Sequence, residues 1–68
     1  MLDSEALLMV HYDAAHKVLR ATFRENRRTY DYFSLPQAEF DALLAAASRG
    51  DWFNAHIRER YPFREVRL

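Results

Sequence analysis

The pattern of hydrophobic and polar residues in the first half of the chain predicts three β-strands. Residues 6–12 are mostly apolar, as in a buried or half-buried strand, and the second and third runs, residues 17–24 and 28–33, alternate with a period of two. In the second run, apolar side chains fall on every other position from Leu19 to Phe23, with arginine and threonine between them. Short polar connections separate the runs, so we expect a three-stranded antiparallel meander.

Both connections carry residues that are typical of turns. Asp13 begins the first connection, Asp13-Ala14-Ala15-His16, where its side chain can bond to the backbone that follows it. Asn26 lies at the centre of the second connection, Glu25-Asn26-Arg27. We expect Asn26 to take the left-handed conformation that a tight hairpin requires.

The position of the second loop decides which residues of the hairpin face each other. A two-residue loop pairs Tyr30 with either Ala21 or Phe23, depending on where the loop lies. Both registers place Tyr30 and Tyr32 on the apolar face of the second run, whereas a three-residue loop would turn them to the other face.

The period then changes to that of a helix. The sequence Ser34-Leu35-Pro36-Gln37 offers a serine N-cap, a glutamine that completes a capping box, and a proline in the first turn. The helix should run to about Ala47 and pack on the sheet through an apolar stripe at Phe40, Leu43, Leu44 and Ala47.

A second helix is predicted to follow after a break at Gly50. The only glycine of the chain, Gly50 stands where a helix end favours a left-handed residue, and Asp51 is a good N-cap. Pro62 should end this helix, and the alternating tail after it predicts a short edge strand or a dimer contact. The apolar stripe of the helix comprises Phe53, Ile57 and Tyr61.

The length predicts one small domain over residues 1–68, and the order of the predicted strands and helices makes it an α+β domain. The 68 residues include no cysteine, which removes disulfide bonds and thiolate metal ligands as sources of stability. No apolar run approaches the roughly 20 residues of a membrane-spanning helix. The first residues lack the pattern of a signal peptide, so we expect a cytoplasmic protein that does not enter a membrane.

The net charge is zero, but the cations are concentrated in one part of the chain. Residues 17–28 hold five of the ten Lys and Arg residues against one carboxylate, and nine of the ten cations are arginine. Arginine suits planar contacts with phosphate and aromatic rings. The cluster is therefore either a solvated hairpin edge or a basic patch that faces a ligand.

Catalytic chemistry finds no support in the sequence. None of the three serines lies in a nucleophile-elbow context, and the three histidines are dispersed without the spacing of a metal motif. We therefore expect neither an enzyme nor a metal or cofactor site.

Two groups of polar and aromatic residues remain as binding candidates. Tyr30 and Tyr32, with Arg20 nearby, have the interleaving of cation and aromatic residues found in single-strand nucleic-acid platforms. They would serve equally as cross-strand core packing. Asn54 and Arg58 lie four residues apart on one side of the second helix, where they could grip an anion or satisfy the preceding turn.

At these residues the chain resembles the KTSC domain family, small domains that occur alone in bacteria and at the C-terminus of some lysyl-tRNA synthetases. The resemblance extends from about Ser4 to Tyr61. It rests on Tyr12-Asp13, on Tyr30-Asp31-Tyr32, on Leu35-Pro36 and on the pattern Ala47-Ser48-x-Gly50-x-x-Phe53-Asn54-x-x-Ile57-Arg58-x-x-Tyr61.

The resemblance implies a domain of unknown function that is suggested to bind RNA because of its association with the synthetases. It implies no catalytic residue, and it implies a variant of a small Sm-like sheet, which favours oligomers. Two positions depart from the family: His11 replaces a small residue, and the loop at Glu25-Asn26-Arg27 lacks the usual glycine.

The sequence thus predicts a non-catalytic binding module, with RNA as the expected ligand. The candidate ligand-binding residues are Arg20, Tyr30, Tyr32, Asn54, Arg58 and Tyr61. The alternative is a protein-interaction or homodimerisation module whose contact residues would be Trp52, Phe63, Val66 and Leu68.

Overall fold

The computed structural model describes residues 7–67, which form one four-stranded antiparallel sheet and two helices. The strand order in the sheet is the same as in the sequence. This α+β architecture confirms the predicted meander and the two predicted helices. The elements are β1 (Leu7–Asp13), β2 (Val18–Phe23), β3 (Thr29–Tyr32), α1 (Gln37–Ala45), α2 (Arg49–His56) and β4 (Phe63–Val66).

A β-bulge in β1 keeps apolar residues on the face that carries the core. The register against β2 shifts between Leu7 and Met9, which leaves Leu8 as the extra residue. Because of this extra residue, Leu7 and Val10 both pack against the core although they are three positions apart. Met9 lies on the opposite face and is 58% exposed.

The β2–β3 hairpin has one of the two predicted registers. Ala21 lies opposite Tyr30, and Leu19 lies opposite Tyr32. The alternative that paired Tyr30 with Phe23 is therefore wrong. Directly opposed residues share a sheet face, so both tyrosines lie on the core side with Leu19 and Ala21, as predicted.

The loop of this hairpin differs from the prediction in its left-handed residue. Arg27 has a φ of 60°, so the assignment of that conformation to Asn26 is wrong. Asn26 acts through its side chain instead, since its Oδ1 accepts a hydrogen bond from the Arg28 N–H at 2.9 Å. The Arg27 N–H donates to the carbonyl of Phe23 at 2.8 Å, which closes the loop.

Asp13 closes the β1–β2 turn in the predicted way. Its Oδ1 accepts hydrogen bonds from the backbone N–H groups of Ala15 at 3.1 Å and His16 at 3.3 Å. The His16 ring lies 2.9 Å from Oδ2. This side-chain hydrogen bond lowers the pKa of the Asp13 carboxyl below its usual value.

The start of α1 is not capped as predicted. Ser34 has a φ of 60° and lies outside the helix, while Pro36 is the N-cap residue and no side chain caps the helix. The predicted capping box of Ser34 and Gln37 is therefore wrong. The helix also ends at Ala45, two residues before the predicted end at Ala47.

Leu35 explains why Ser34 cannot serve as the cap. Leu35 is fully buried, and its N–H donates to the carbonyl of Lys17 at 3.0 Å. Its carbonyl accepts a hydrogen bond of 2.6 Å from the hydroxyl of Tyr12. These two hydrogen bonds and its burial hold Leu35 against β1 and the β1–β2 turn, so α1 begins only after Leu35.

Gly50 does not stop a helix, and Asp51 does not start one. Gly50 lies buried in the first turn of α2 with a negative φ. Ser48 is the N-cap, and its hydroxyl accepts a hydrogen bond from the Asp51 N–H at 3.2 Å. Both predictions are wrong because α1 ends earlier, at Ala45, which leaves room for α2 to begin before the glycine.

The tail forms the edge strand that the sequence offered as one alternative. After α2 the chain turns through Pro62, and β4 pairs antiparallel with β3. Phe63 lies opposite Tyr32, and Glu65 lies opposite Tyr30. The last strand therefore covers the outer edge of β3.

One hydrophobic core lies between the sheet and the two helices. Phe53 of α2 is fully buried within it and meets Phe23 and Tyr32 edge to face, with ring centroids 5.5 and 5.2 Å apart. Within residues 7–67, neither helix is long and apolar enough to cross a membrane. The buried core residues are Leu19, Ala21, Phe23, Tyr32, Leu35, Leu43, Phe53 and Ile57.

We expect Phe53→Ala to lower the free energy of unfolding by about 3–5 kcal/mol, because it removes a buried ring and leaves a cavity. Phe63→Ala is the matched control: the same atoms are removed from a side chain that is 55% exposed. Chemical denaturation of the two variants measures the difference. Equal losses would contradict the position of Phe53 in the core.

Candidate ligand-binding cleft

A cleft of about 110 Å³ opens between the β2–β3 hairpin and α2. We call it the hairpin cleft. Its interior is aromatic, since the ring of Phe23 meets Tyr30 edge to face at 5.7 Å and Phe53 at 5.5 Å. Its rim is polar. The lining residues are Leu7, Phe23, Glu25, Asn26, Tyr30, Gly50, Phe53, Asn54 and Arg58.

The guanidinium of Arg58 lies against the aromatic wall of the hairpin cleft. Its guanidinium carbon lies 5.1 Å from the centre of the Phe23 ring, within the range of a cation–π contact. Its Nη1 donates to Oδ1 of Asn54 at 3.2 Å. A guanidinium has five N–H donors, and this bond uses one of them. Arg58 is exposed, so a ligand can reach it.

A second depression, of about 120 Å³, lies beside the first. We call it the aromatic depression. Phe63 forms its exposed part, with its ring 5.9 Å from Tyr30 and 5.5 Å from Tyr32. The hairpin cleft and the aromatic depression share three lining residues, Phe23, Tyr30 and Arg58. The lining of the aromatic depression is Phe23, Tyr30, Tyr32, Arg58 and Phe63.

Tyr32 lies at the buried end of this group. Burial raises the pKa of the Tyr32 phenol above its usual value of about 10. The positive charge of Arg58 lowers that pKa, and the neighbouring Tyr30 raises it. Tyr32 is therefore a neutral core residue that forms the inner wall of the aromatic depression. Tyr30 is only half-buried and lines both depressions.

Four of the six predicted site residues are brought together here: Tyr30, Tyr32, Asn54 and Arg58. Core packing is confirmed for Tyr32, while Tyr30 packs against the core on one side and lines the cleft on the other. The nucleic-acid interpretation of the two tyrosines stays a prediction. For Asn54 and Arg58, the structure shows a bond between the two side chains on the exposed surface of α2 and the turn that follows it.

Arg20 lines neither of the two depressions, and its role as a ligand contact stays a prediction. It lies on the opposite sheet face, because its neighbours in β2 point into the core. Two hydrogen bonds, Nε to Oδ1 at 2.8 Å and Nη2 to Oδ2 at 3.1 Å, join it to Asp31. These bonds raise the pKa of the Arg20 guanidinium. Arg20 is therefore a cross-strand partner of Asp31.

Tyr61 is also separate from the two depressions. It packs against the core after the end of α2. Burial raises the pKa of its phenol, the charge of Glu39 raises it further and Arg60 lowers it. Its neighbours thus include Glu39 of α1, and its role as a ligand contact stays a prediction.

The alternative set of contact residues does not form one surface. Trp52 stacks on His56 at 4.3 Å and packs against the core. Phe63 lies opposite Tyr32 on the core face, whereas Val66 lies opposite Thr29 on the other face. Leu68 falls outside the described residues.

Several residues of the cleft were not found by sequence reasoning as site residues. The sequence predicts Phe23 and Phe53 only as core residues and Gly50 only as a helix stop. The contact between Phe23 and α2 depends on the tertiary fold, so no local pattern in the sequence predicts it. Within residues 7–67, no group of three or more His, Asp or Glu side chains could hold a metal ion.

The sequence model of the KTSC domain matches residues 3–61 of this chain. The chain belongs to the KTSC domain family. A protein from Tsukamurella paurometabola is 37% identical over 67 residues, which cover 98% of this chain and 96% of that protein. Tyr30, Tyr32, Asn54 and Arg58 all lie within the matched range, whereas β4 lies beyond it.

The crystal structure of a KTSC domain protein from Yersinia pestis has the same fold. It superposes with a TM-score of 0.85 and 28% sequence identity, covering 90% of this chain and 84% of that one. The resemblance inferred from the sequence motifs is thus confirmed for this KTSC domain at the level of family and fold.

The raised pKa of Tyr32 predicts an alkaline loss of stability. The burial of the neutral phenol stabilises the fold fully below pH about 10, and this contribution is lost as the pH rises through the higher pKa of the folded state. In Tyr32→Phe, we expect the free energy of unfolding to fall less as the pH rises above about 10. Denaturation at several pH values measures this dependence. Tyr61 contributes equally in both proteins, so an unchanged slope would contradict the burial of the Tyr32 phenol.

Proposed function

We propose that this KTSC domain is a non-catalytic module that binds single-stranded RNA across the hairpin cleft and the aromatic depression. The observation that carries the proposal is the position of Arg58. Its exposed guanidinium lies against Phe23 and is shared by two adjacent depressions that are both walled by aromatic rings. This arrangement of aromatic, cationic and aromatic surfaces suits two successive bases and the phosphate that joins them.

Exposed aromatic area supports a stacking role for the aromatic depression. Phe63 is 55% exposed, and its contacts with Tyr30 and Tyr32 fix its ring in place. A ring that is already ordered loses little conformational entropy when a base stacks on it. Stacking of this kind tolerates any base, because every base has a π-face.

The distribution of charge supports a phosphate contact at the same end of the sheet. Arg27 and Arg28 of the hairpin loop line a shallow surface with Arg67, and Arg58 lines the hairpin cleft together with Glu25 and Asn26 of the same loop. Glu65 is the carboxylate on the shallow surface. The chain has no net charge, yet three arginines lie together on the shallow surface and Arg58 lines the two depressions. We further propose that the module works in the cytoplasm, in keeping with its cysteine-free composition.

Titration of a short unstructured RNA at several salt concentrations tests the proposal. Affinity should fall as salt rises, because bound arginines release the counterions of the phosphates. Arg58→Ala should weaken binding and lower the slope of log affinity against log salt by about 0.7, the value for one phosphate contact on a single strand.

The matched control is Arg60→Ala, which removes an exposed arginine beside Tyr61 rather than beside the two depressions. It should bind RNA as the unmodified protein does. Phe63→Ala should cost roughly 5- to 150-fold in affinity, corresponding to about 1–3 kcal/mol per stacked base. Failure of the unmodified protein to bind any RNA at low salt would overturn the proposed function.

A protein-interaction or homodimerisation module is the second candidate, and the exposure of Phe63 on the edge strand β4 is what favours it. An exposed aromatic residue beside an open strand edge suits the addition of a strand from a partner. The Sm-like sheet that the family resemblance implies would also favour oligomers. If the module self-associates, sedimentation at high concentration gives a dimer or larger species that Phe63→Ala disrupts. A monomeric mass excludes self-association.

A further inference from the structure

Gly50 occupies a position where its backbone does not need glycine. It lies in the first turn of α2 with a negative φ, which every residue can adopt. Glycine inside a helix also destabilises it relative to alanine. The reason for a glycine here is therefore the absent side chain. Gly50 is buried and lines the hairpin cleft, so a Cβ at this position would project into a confined space.

The size of the hairpin cleft limits what it can hold. Its volume is about 110 Å³. An apolar cavity of roughly 150 Å³ in another protein holds one benzene molecule. The hairpin cleft, which is open on one side, can thus take one six-membered ring part of the way in, whereas two fused rings do not fit inside it. The fully buried Phe53 and the backbone of Gly50 lie behind it and prevent deeper insertion.

The polar groups at the rim define which ring would fit. Oδ1 of Asn26 accepts from the Arg28 N–H, and Oδ1 of Asn54 accepts from Arg58. Each amide therefore keeps its amino group as a donor. Glu25 adds a carboxylate acceptor at the same rim. Donors on both sides of the cleft and one acceptor suit a ring that carries carbonyl oxygens and an N–H group.

We infer that the hairpin cleft takes a single pyrimidine base of the bound strand, and that a purine binds there more weakly because its second ring does not fit inside. Both pyrimidines of RNA carry a ring carbonyl that the amino groups of Asn26 and Asn54 can bind, and Glu25 can accept from uracil N3–H or from the cytosine amino group. The inference rests on the proposed function. It makes the aromatic depression the tolerant site and the hairpin cleft the selective one.

The test compares oligo(U), oligo(C) and oligo(A) of equal length with the intact domain at one salt concentration. We expect oligo(U) and oligo(C) to bind about tenfold or more tightly than oligo(A), since a rigid cleft rejects a ring that it cannot admit. Equal affinities would overturn the pyrimidine inference and leave RNA binding intact. No binding of any of the three at low salt would instead overturn the proposed function itself.

Two variants separate the cleft from the stacking that oligo(A) makes with itself. Gly50→Ala places a methyl group in the cleft and should collapse the pyrimidine preference while the salt slope stays unchanged. Asn54→Asp keeps the acceptor for Arg58 but removes the amide donor. It should also reduce the ratio of the affinity for oligo(U) or oligo(C) to the affinity for oligo(A). The reciprocal control is Ala55→Gly, an exposed position of α2 outside the cleft, which should leave the ratio as it is.

Thermal unfolding shows whether each variant is folded. If Gly50→Ala does not fold, Asn54→Asp decides the question alone, because its side chain is exposed and the change is nearly isosteric. A preference for pyrimidines that survives in the folded variants would show that it arises elsewhere, and the inference would fall.

Discussion

The packing of Phe53 against the sheet is the contact on which the rest of this KTSC domain depends. A chain of 68 residues without cysteine has one small core and no covalent crosslink to stabilise it. Phe53 meets Phe23 of β2 and Tyr32 of β3, so one side chain joins α2 to two neighbouring strands. The same contact positions Asn54 and Arg58 beside the hairpin. The binding surface is therefore built directly on the core and cannot shift without it.

The fold was largely predictable because alternation and register are properties of short segments. The face of Tyr30 and Tyr32 followed from the spacing of β2 and β3 alone. The errors lie where tertiary contacts decide a local choice. Ser34 has a good capping sequence, but the attachment of Leu35 to the sheet takes precedence. Gly50 resembles a helix stop, but its environment requires a small residue inside a helix.

The candidate site was only half predictable, for a geometrical reason. Asn54 and Arg58 could be paired from their helical spacing, and the tyrosines from their strand. Arg20 was placed with them because it is close in sequence, whereas strand parity puts it on the other face, next to Asp31. The partnership of Arg58 with Phe23 joins residues 35 positions apart, and no short-range pattern in the sequence reports it.

The pairing of β4 with β3 has a consequence for where this domain ends. The family match closes at residue 61, yet Phe63–Val66 supplies the strand that covers β3 and one wall of the aromatic depression. A fragment cut at the family boundary would expose the backbone of β3, including both central tyrosines, as a bare edge open to aggregation. The unit to express, dissect or graft therefore extends through Val66.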